Sequence, residues 1–204
     1  MKKLFLILLF VLINSFAFGQ ETPSHKLLEG ISIDDRNEGF YPAGSKIQDK
    51  TALGGFSSSQ NFPKAVDPNM NVPQSVISLI ALPNEEIVSA EKHKGMKLIL
   101  VNTTNEQVAF SASDSLLYIV QEALSQNGEW KMIERMPSSN CGNSKHNVFL
   151  GANEYWVFAA AQYTGDFMTR LRFRLVQQKS TTEQPPIYSN EFEGSVNQKQ
   201  FAVR

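Results

Sequence analysis

The sequence predicts an all-β fold of antiparallel strands packed as a sandwich, and two observations carry that prediction. The first is the stretch from Phe167 to Val176, where Phe167, Thr169, Leu171, Phe173 and Leu175 alternate strictly with Met168, Arg170, Arg172, Arg174 and Val176. A period of two places one set against a core and the other in water, which is the pattern of a strand covered on one face. The second is the series of short apolar runs that begins at about Gln74, each closed by turn residues and none of them a convincing amphipathic helix.

Taken in order, the chain opens with Lys2 and Lys3, followed by an unbroken apolar run of ten residues, Leu4 to Ile13. Ala17 and Gly19 then stand at the spacing of a small-residue cleavage site. This is the three-part pattern of a secretory signal peptide over residues 1–19, leaving Gln20 as the new N-terminus. A bilayer span needs roughly 20 apolar residues, so no membrane span is expected after cleavage. The single cysteine, Cys141, provides no acceptor for lipid next to the processed terminus and no intramolecular disulfide. The expected location is secreted or periplasmic. Without Lys2 and Lys3 the balance is 17 basic against 20 acidic residues, a net charge of −3. That is no nucleic-acid footprint, which would show as a basic excess or patch.

Residues 20–73 are rich in Gly, Ser, Asn, Asp, Pro and Gln and keep neither a period of 2 nor one of 3.6. Their low apolar density does not offset the entropy of ordering, so a largely irregular, flexible or loosely docked arm is expected. Phe40, Tyr41, Phe56 and Phe62 are the residues that would dock it. Residues 74–197 form the predicted sandwich domain, and 198–204 a C-terminal tail. Within the domain the strand candidates are SVISLIAL, closed by Pro83, then EIVSA, MKLILVNTT and QVAFSAS. LLYIVQEAL has helical propensity, but its length and Tyr-Ile-Val centre favour a strand. EWKMIER, NVFL, EYWVFAAAQY, DFMTRLRFRLVQ and PIYSNEFEGSV complete the set.

The segments EWKMIERMPSSNCGNSKHNVFLGANEYWVFAAAQYTGDFMTRLRFRL and IYSNEFEGSVN, within residues 75 to 197, resemble small secreted bacterial proteins of no assigned activity. The turns before Glu154 and Phe167, and the closing YSNEFEG, are similar to late strands of immunoglobulin-like and fibronectin type III sandwiches. The resemblance implies an extracytoplasmic, immunoglobulin-like β-sandwich and brings no catalytic residues with it.

The loop Pro137 to Asn147 is the most unusual segment: Cys141 stands five residues before His146, among Ser138, Ser139, Asn140, Asn143 and Ser144. Loops on rigid sandwiches carry function disproportionately, so these seven residues form the expected binding surface. Thiol catalysis by Cys141 and His146 is the rival; it needs a thiolate, a base and an orienting group brought together in space. The bland reading is a buried or half-buried thiol beside a Gly/Asn turn.

Other patterns are weaker. Asp67, Asn69 and Asn71 open like a calcium loop, but Val72 and Ser78 stand where it requires Gly and Glu, so a Pro-Asn turn is expected. His25, His93 and His146 lie far apart and show no zinc spacing, and no metal or cofactor is expected. The arginine row is expected to pair with Glu191 and Glu193 across the sheet rather than hold an anion. Trp156 and Phe158 share a strand face and are expected in the core, although Trp130, Tyr155 and Tyr163 are aromatic candidates for sugar stacking. Asn102-Thr103-Thr104 matches an N-glycosylation acceptor, and Asp114-Ser115-Leu116 an O-glycosylation one. Together these features predict a non-enzymatic binding module with an unknown protein or glycan partner outside the cytoplasm. The alternatives are a small thiol-dependent hydrolase and an envelope structural component or protease inhibitor.

Overall fold

The computed structural model describes residues 30, 38–89, 93–139, 141–176 and 185–202. The predicted signal peptide and Asn140 lie outside them. In chain order the strands are β1 (Lys64–Ala65), β2 (Ile77–Ser89), β3 (His93–Asn102), β4 (Val108–Ser113), β5 (Leu116–Leu117) and β6 (Ile119–Leu124). They continue with β7 (Trp130–Met132), β8 (Lys145–Leu150), β9 (Glu154–Ala161), β10 (Phe167–Leu175), β11 (Ile187–Tyr188) and β12 (Phe192–Val196). Every pairing between them is antiparallel. The only helical elements among the described residues are short 3-10 turns at Gly142–Ser144 and Gln198–Ala202, and none of them is long and apolar enough to cross a membrane.

The all-β prediction is thus met. One sheet runs β1-β9-β3-β2, a second β11-β10-β6-β7 with β12 also on β10, and a three-stranded sheet runs β5-β4-β8. All three contribute to one core: Leu98, Trp156 and Phe158 from the first sheet, Ile119, Leu171 and Phe173 from the second, and Phe110 and Val148 from the third. Burying a side chain such as Phe158 contributes about 2 kcal/mol, and this shared burial holds the sheets together. The alternation of β10 has its expected result, with Leu171, Phe173 and Leu175 buried and Met168 and Arg170 exposed.

Three local departures have physical causes. Pro83 does not close its strand, because β2 continues through it with a bulge between Leu82 and Glu86. As β2 is the edge of its sheet, the missing N–H of Pro83 costs no ladder bond there. LLYIVQEAL divides at Tyr118, so that β5 joins the small sheet and β6 the second one. In β3 both faces are covered: Leu98 and Leu100 face the main core, while Ile99 and Val101 meet Val72 in a second cluster that also includes Met70. Double burial is why this strand reads as a continuous apolar run rather than an alternating one.

Residues 38–73, part of the expected arm, are tied into this structure at their N-terminal end. Tyr41 and Ala43 are fully buried, and the Tyr41 ring meets Phe158 and Phe173 edge-on, one from each large sheet, at 6.0 and 6.1 Å. Backbone bonds from Gly39 N–H to Arg135 O (3.1 Å), Leu117 N–H to Tyr41 O (3.1 Å) and Ala43 N–H to Ser115 O (2.8 Å) hold the segment against β5 and the chain that follows β7. The buried apolar side chains Tyr41, Ala43 and Val72 are too few and too widely spaced to give a periodic signal, so composition alone reads this anchored stretch as irregular. At the other end of the chain, Gln198–Ala202 turns Phe201 onto Phe167, with ring centroids 5.8 Å apart.

Candidate functional site

The loop from 137 to 147 does not stand alone. Ser139 Oγ donates to Ser144 Oγ (2.9 Å) and receives the Cys141 N–H (3.1 Å), which folds the loop into a short turn. Ser138, Cys141 and Asn143 are exposed, Ser139 is half-buried, and Ser144 and His146 are buried. The expectation of a buried or half-buried thiol is corrected: Cys141 is a free, exposed cysteine, carried outward by the polar turn rather than packed as a small apolar group.

His146 is held on three sides. Its Nδ1 faces the Ser144 carbonyl at 3.0 Å; a carbonyl only accepts, so Nδ1 carries a proton there. Its Nε2 lies 3.2 Å from Ser115 Oγ, and the Phe56 ring stacks on the imidazole with centroids 3.7 Å apart and planes 9° from parallel. Both ring nitrogens are therefore directed at serine groups. A Cys141–His146 catalytic pair would require one ring nitrogen to give up its serine partner.

The β4–β5 turn joins these pieces. Asp114 and Ser115 form its two-residue loop with φ of +49° and +63°. Positive φ at both central positions is the backbone of a type I′ hairpin, which favours Asn and Gly; side chains there cost on the order of 1 kcal/mol each. The local bonds offset that cost. Asp114 Oδ1 receives the Ser57 N–H (3.0 Å), Ser115 Oγ donates to Ser57 O (2.8 Å), and Asp114 N–H donates to Ser144 O (2.9 Å). The Ser57 N–H, then the Ser144 hydroxyl, hold the Asp114 carboxyl below its ordinary value against a smaller opposing effect of desolvation, and the charge of His146 adds to the lowering. The turn thereby joins the N-terminal segment to the 137–147 loop. Because Ser115 is buried in these bonds, the Asp114-Ser115-Leu116 acceptor is closed in the folded chain. Asn102 is likewise fully buried, its amide bonded to Glu106 O (2.7 Å) and Gly151 O (2.9 Å), which removes the other glycosylation acceptor from the surface.

Asp49 makes the second tie. Its carboxylate receives Thr51 N–H (2.9 Å), Thr51 Oγ1–H (2.6 Å), Asn147 N–H (2.7 Å) and Asn147 Nδ2–H (2.9 Å). Burial pushes this carboxyl up, but the hydrogen bonds from Thr51 and Asn147 outweigh it and bring its pKa from 3.8 down to about 2. Nearby, Trp156 Nε1–H donates to Gly44 O (3.0 Å) and Asn61 Nδ2–H reaches Pro42 O (2.9 Å) and Val157 O (3.0 Å). Between the N-terminal segment and β8 these ties leave a cavity of about 300 Å³, lined by Lys46, Gln48, Phe56, Gln60 and Phe62 and by Ser115, His146 and Asn147. Of the six described residues among those expected to bind, only His146 lines it.

The other expectations divide. Asp67–Met70 is a turn, with Asn69 N–H on Asp67 Oδ1 at 2.8 Å and Met70 N–H on Asp67 O at 2.9 Å. Among the described residues no group of three or more His, Cys, Asp or Glu side chains could hold a metal ion. Trp156 and Phe158 are core residues, as expected. Arg170 pairs with Glu191 (2.7 Å) and lies opposite Glu193 in the β10–β12 register, as expected, but Arg172 and Arg174 turn the other way, to Glu122 of β6 at 2.8 and 3.1 Å. Arg172 also lies between Trp130 and Tyr188, 4.2 and 4.0 Å from their ring centres. No protein-family model matches the chain, and no curated protein matches it.

Proposed function

We propose that this protein is a non-enzymatic binding module that works outside the cytoplasm, on an immunoglobulin-like sandwich, and that its binding face is the junction of the 44–62 segment with β8 and the 137–147 loop. The observation that carries the reading is the cavity at that junction, whose walls come from three separate chain segments fixed by Asp49, Ser115 and His146. Concave, largely pre-formed sites with a few placed polar groups are where ligands bind. The signal-like residues 1–19 support the location, and the likeness of the late strands to immunoglobulin-like sandwiches supports the fold assignment.

The test is capture from envelope extract and culture medium by the immobilised protein, alongside a variant carrying Gln60→Arg and Asn143→Arg. Both positions are exposed, so the variant is expected to melt within about 2 °C of the parent, because surface substitutions usually change stability by less than about 0.5 kcal/mol. A protein or glycan retained by the parent and lost from the variant supports the reading. Turnover of an ester or peptide substrate that disappears in Cys141→Ala would overturn it in favour of a thiol hydrolase.

A further inference from the structure

The charged and titratable groups around the junction cavity already have partners. Lys46 Nζ is paired with Glu154 Oε1 at 2.5 Å, the Asp49 carboxylate accepts four hydrogen bonds, and both nitrogens of His146 are engaged. An ionic ligand would have to compete with these existing partners for its counter-charge. The uncharged side chains of the same wall are in the opposite condition. Gln48, Ser58 and Gln60 are exposed, and among the described residues no side-chain hydrogen bond engages them. Each amide offers both a donor and an acceptor, and each hydroxyl can act as either. Beside them Phe62 is 43 % exposed and Ile47 49 % exposed, so apolar surface stands next to neutral hydrogen-bonding groups.

From this combination we infer that the cavity is a subsite for a neutral saccharide, one or two sugar rings at the end or branch of a glycan; the inference rests on the binding-module reading above. A pyranose ring has an apolar C–H face that suits the negative face of an aromatic ring, here Phe62. Its hydroxyls are each donor and acceptor, which matches Gln48, Ser58 and Gln60 better than a purely apolar or a charged ligand would. The volume of about 300 Å³ lies at the lower end of the range for small-molecule sites, about 300–1,000 Å³, and accommodates ring termini rather than an extended chain. A Cβ on Gly44 would lie 2.5 Å from Ser59 O, so glycine here lets the two sides of the 44–62 segment approach each other in the cavity wall.

The experiment is an NMR titration of the ¹⁵N-labelled protein with neutral oligosaccharides ending in glucose, mannose, galactose or N-acetylhexosamines. A uronic-acid oligosaccharide, a sulfated one and an extended peptide are titrated in parallel. The expected result is saturable shifts of the Gln60, Phe62, His146 and Asn147 amides with at least one neutral sugar and none with the anions. Phe62→Ala is expected to weaken that binding about threefold to tenfold, and Gln60→Ala to weaken it as well, with spectra otherwise unchanged. Shifts at the same amides caused only by an anionic sugar or by the peptide would overturn the saccharide assignment and leave the binding module standing. No shift at these amides with any probe, together with no capture from envelope extract, would overturn both.

Discussion

On the outer face of β10, Arg170, Arg172 and Arg174 each have a carboxylate partner, and the aromatic rings of Trp130 and Tyr188 enclose Arg172 from both sides. At the junction of the N-terminal segment with β8, Lys46 and Asp49 are likewise paired, but Gln48, Ser58 and Gln60 project from the cavity wall with their side chains uncommitted. Both surfaces are polar and aromatic, and only the first is complete in itself. A charge row that satisfies its own groups stabilises strand pairing and offers little to a ligand. A wall whose framework is fixed while its outward groups remain open is the feature on which the binding proposal rests. The arginine row, whose alternation is plain in the sequence, is thus occupied by its own partners.

That contrast can be broken or sharpened by substitution. The largest effect is expected from Tyr41→Ala, which removes a fully buried ring between the two large sheets and a 2.8 Å hydrogen bond to the buried carboxylate of Glu134. Urea unfolding should show a loss of about 3–5 kcal/mol. Tyr41→Phe, which keeps the ring, should lose only about 1–3 kcal/mol, the cost of leaving one acceptor short of a donor. Next is Glu122→Ala. Its side chain is 3 % exposed and faces Arg172 and Arg174, so its removal leaves two partly buried guanidinium groups unpaired, at a cost of about 3 kcal/mol. The same variant should leave ligand capture intact, which separates the structural surface from the proposed binding one.

Asp49→Asn should cost about 1.5 kcal/mol at neutral pH, since hydrogen bonds to a charged acceptor are replaced by weaker or mismatched ones. Here the sign of the pH dependence is fixed. The folded carboxyl titrates near 2 and the unfolded one near 3.8, so its stabilisation is fully present above the unfolded value and is lost as pH falls through about 2. The gap in unfolding free energy between parent and variant should therefore be constant above about pH 5 and close on acidification toward pH 2. The smallest effect is expected from Arg170→Ala: its pair with Glu191 is exposed on both sides, and chemical denaturation should register less than about 1 kcal/mol.

The strands were largely legible because burial on one face leaves a period of two. The β10 alternation identified its core face, and the continuous apolar run of β3 reflects cover on both sides. Pro83 misled because a proline breaks a central ladder but not a sheet edge. The candidate site was legible only in part. The 137–147 loop stood out by composition, and His146 lines the cavity. The other wall comes from residues about one hundred positions earlier, where single contacts such as Tyr41 in the core, Phe56 on His146 and Asp49 on Asn147 leave no periodic mark. The turn that joins them carries Asp114 and Ser115 in place of the Asn and Gly that would have announced a type I′ hairpin.

The most direct test of the claim that the junction is the binding face compares two surface variants in one capture experiment. One carries Gln60→Arg with Phe62→Ala at the junction, the other Met168→Ser with Arg170→Ala on the outer face of β10. Retention of the envelope or glycan ligand should fall at least about tenfold for the first, equivalent to about 1.4 kcal/mol, and remain at the parent level for the second. Loss confined to the second, or equal retention by both, would contradict the account.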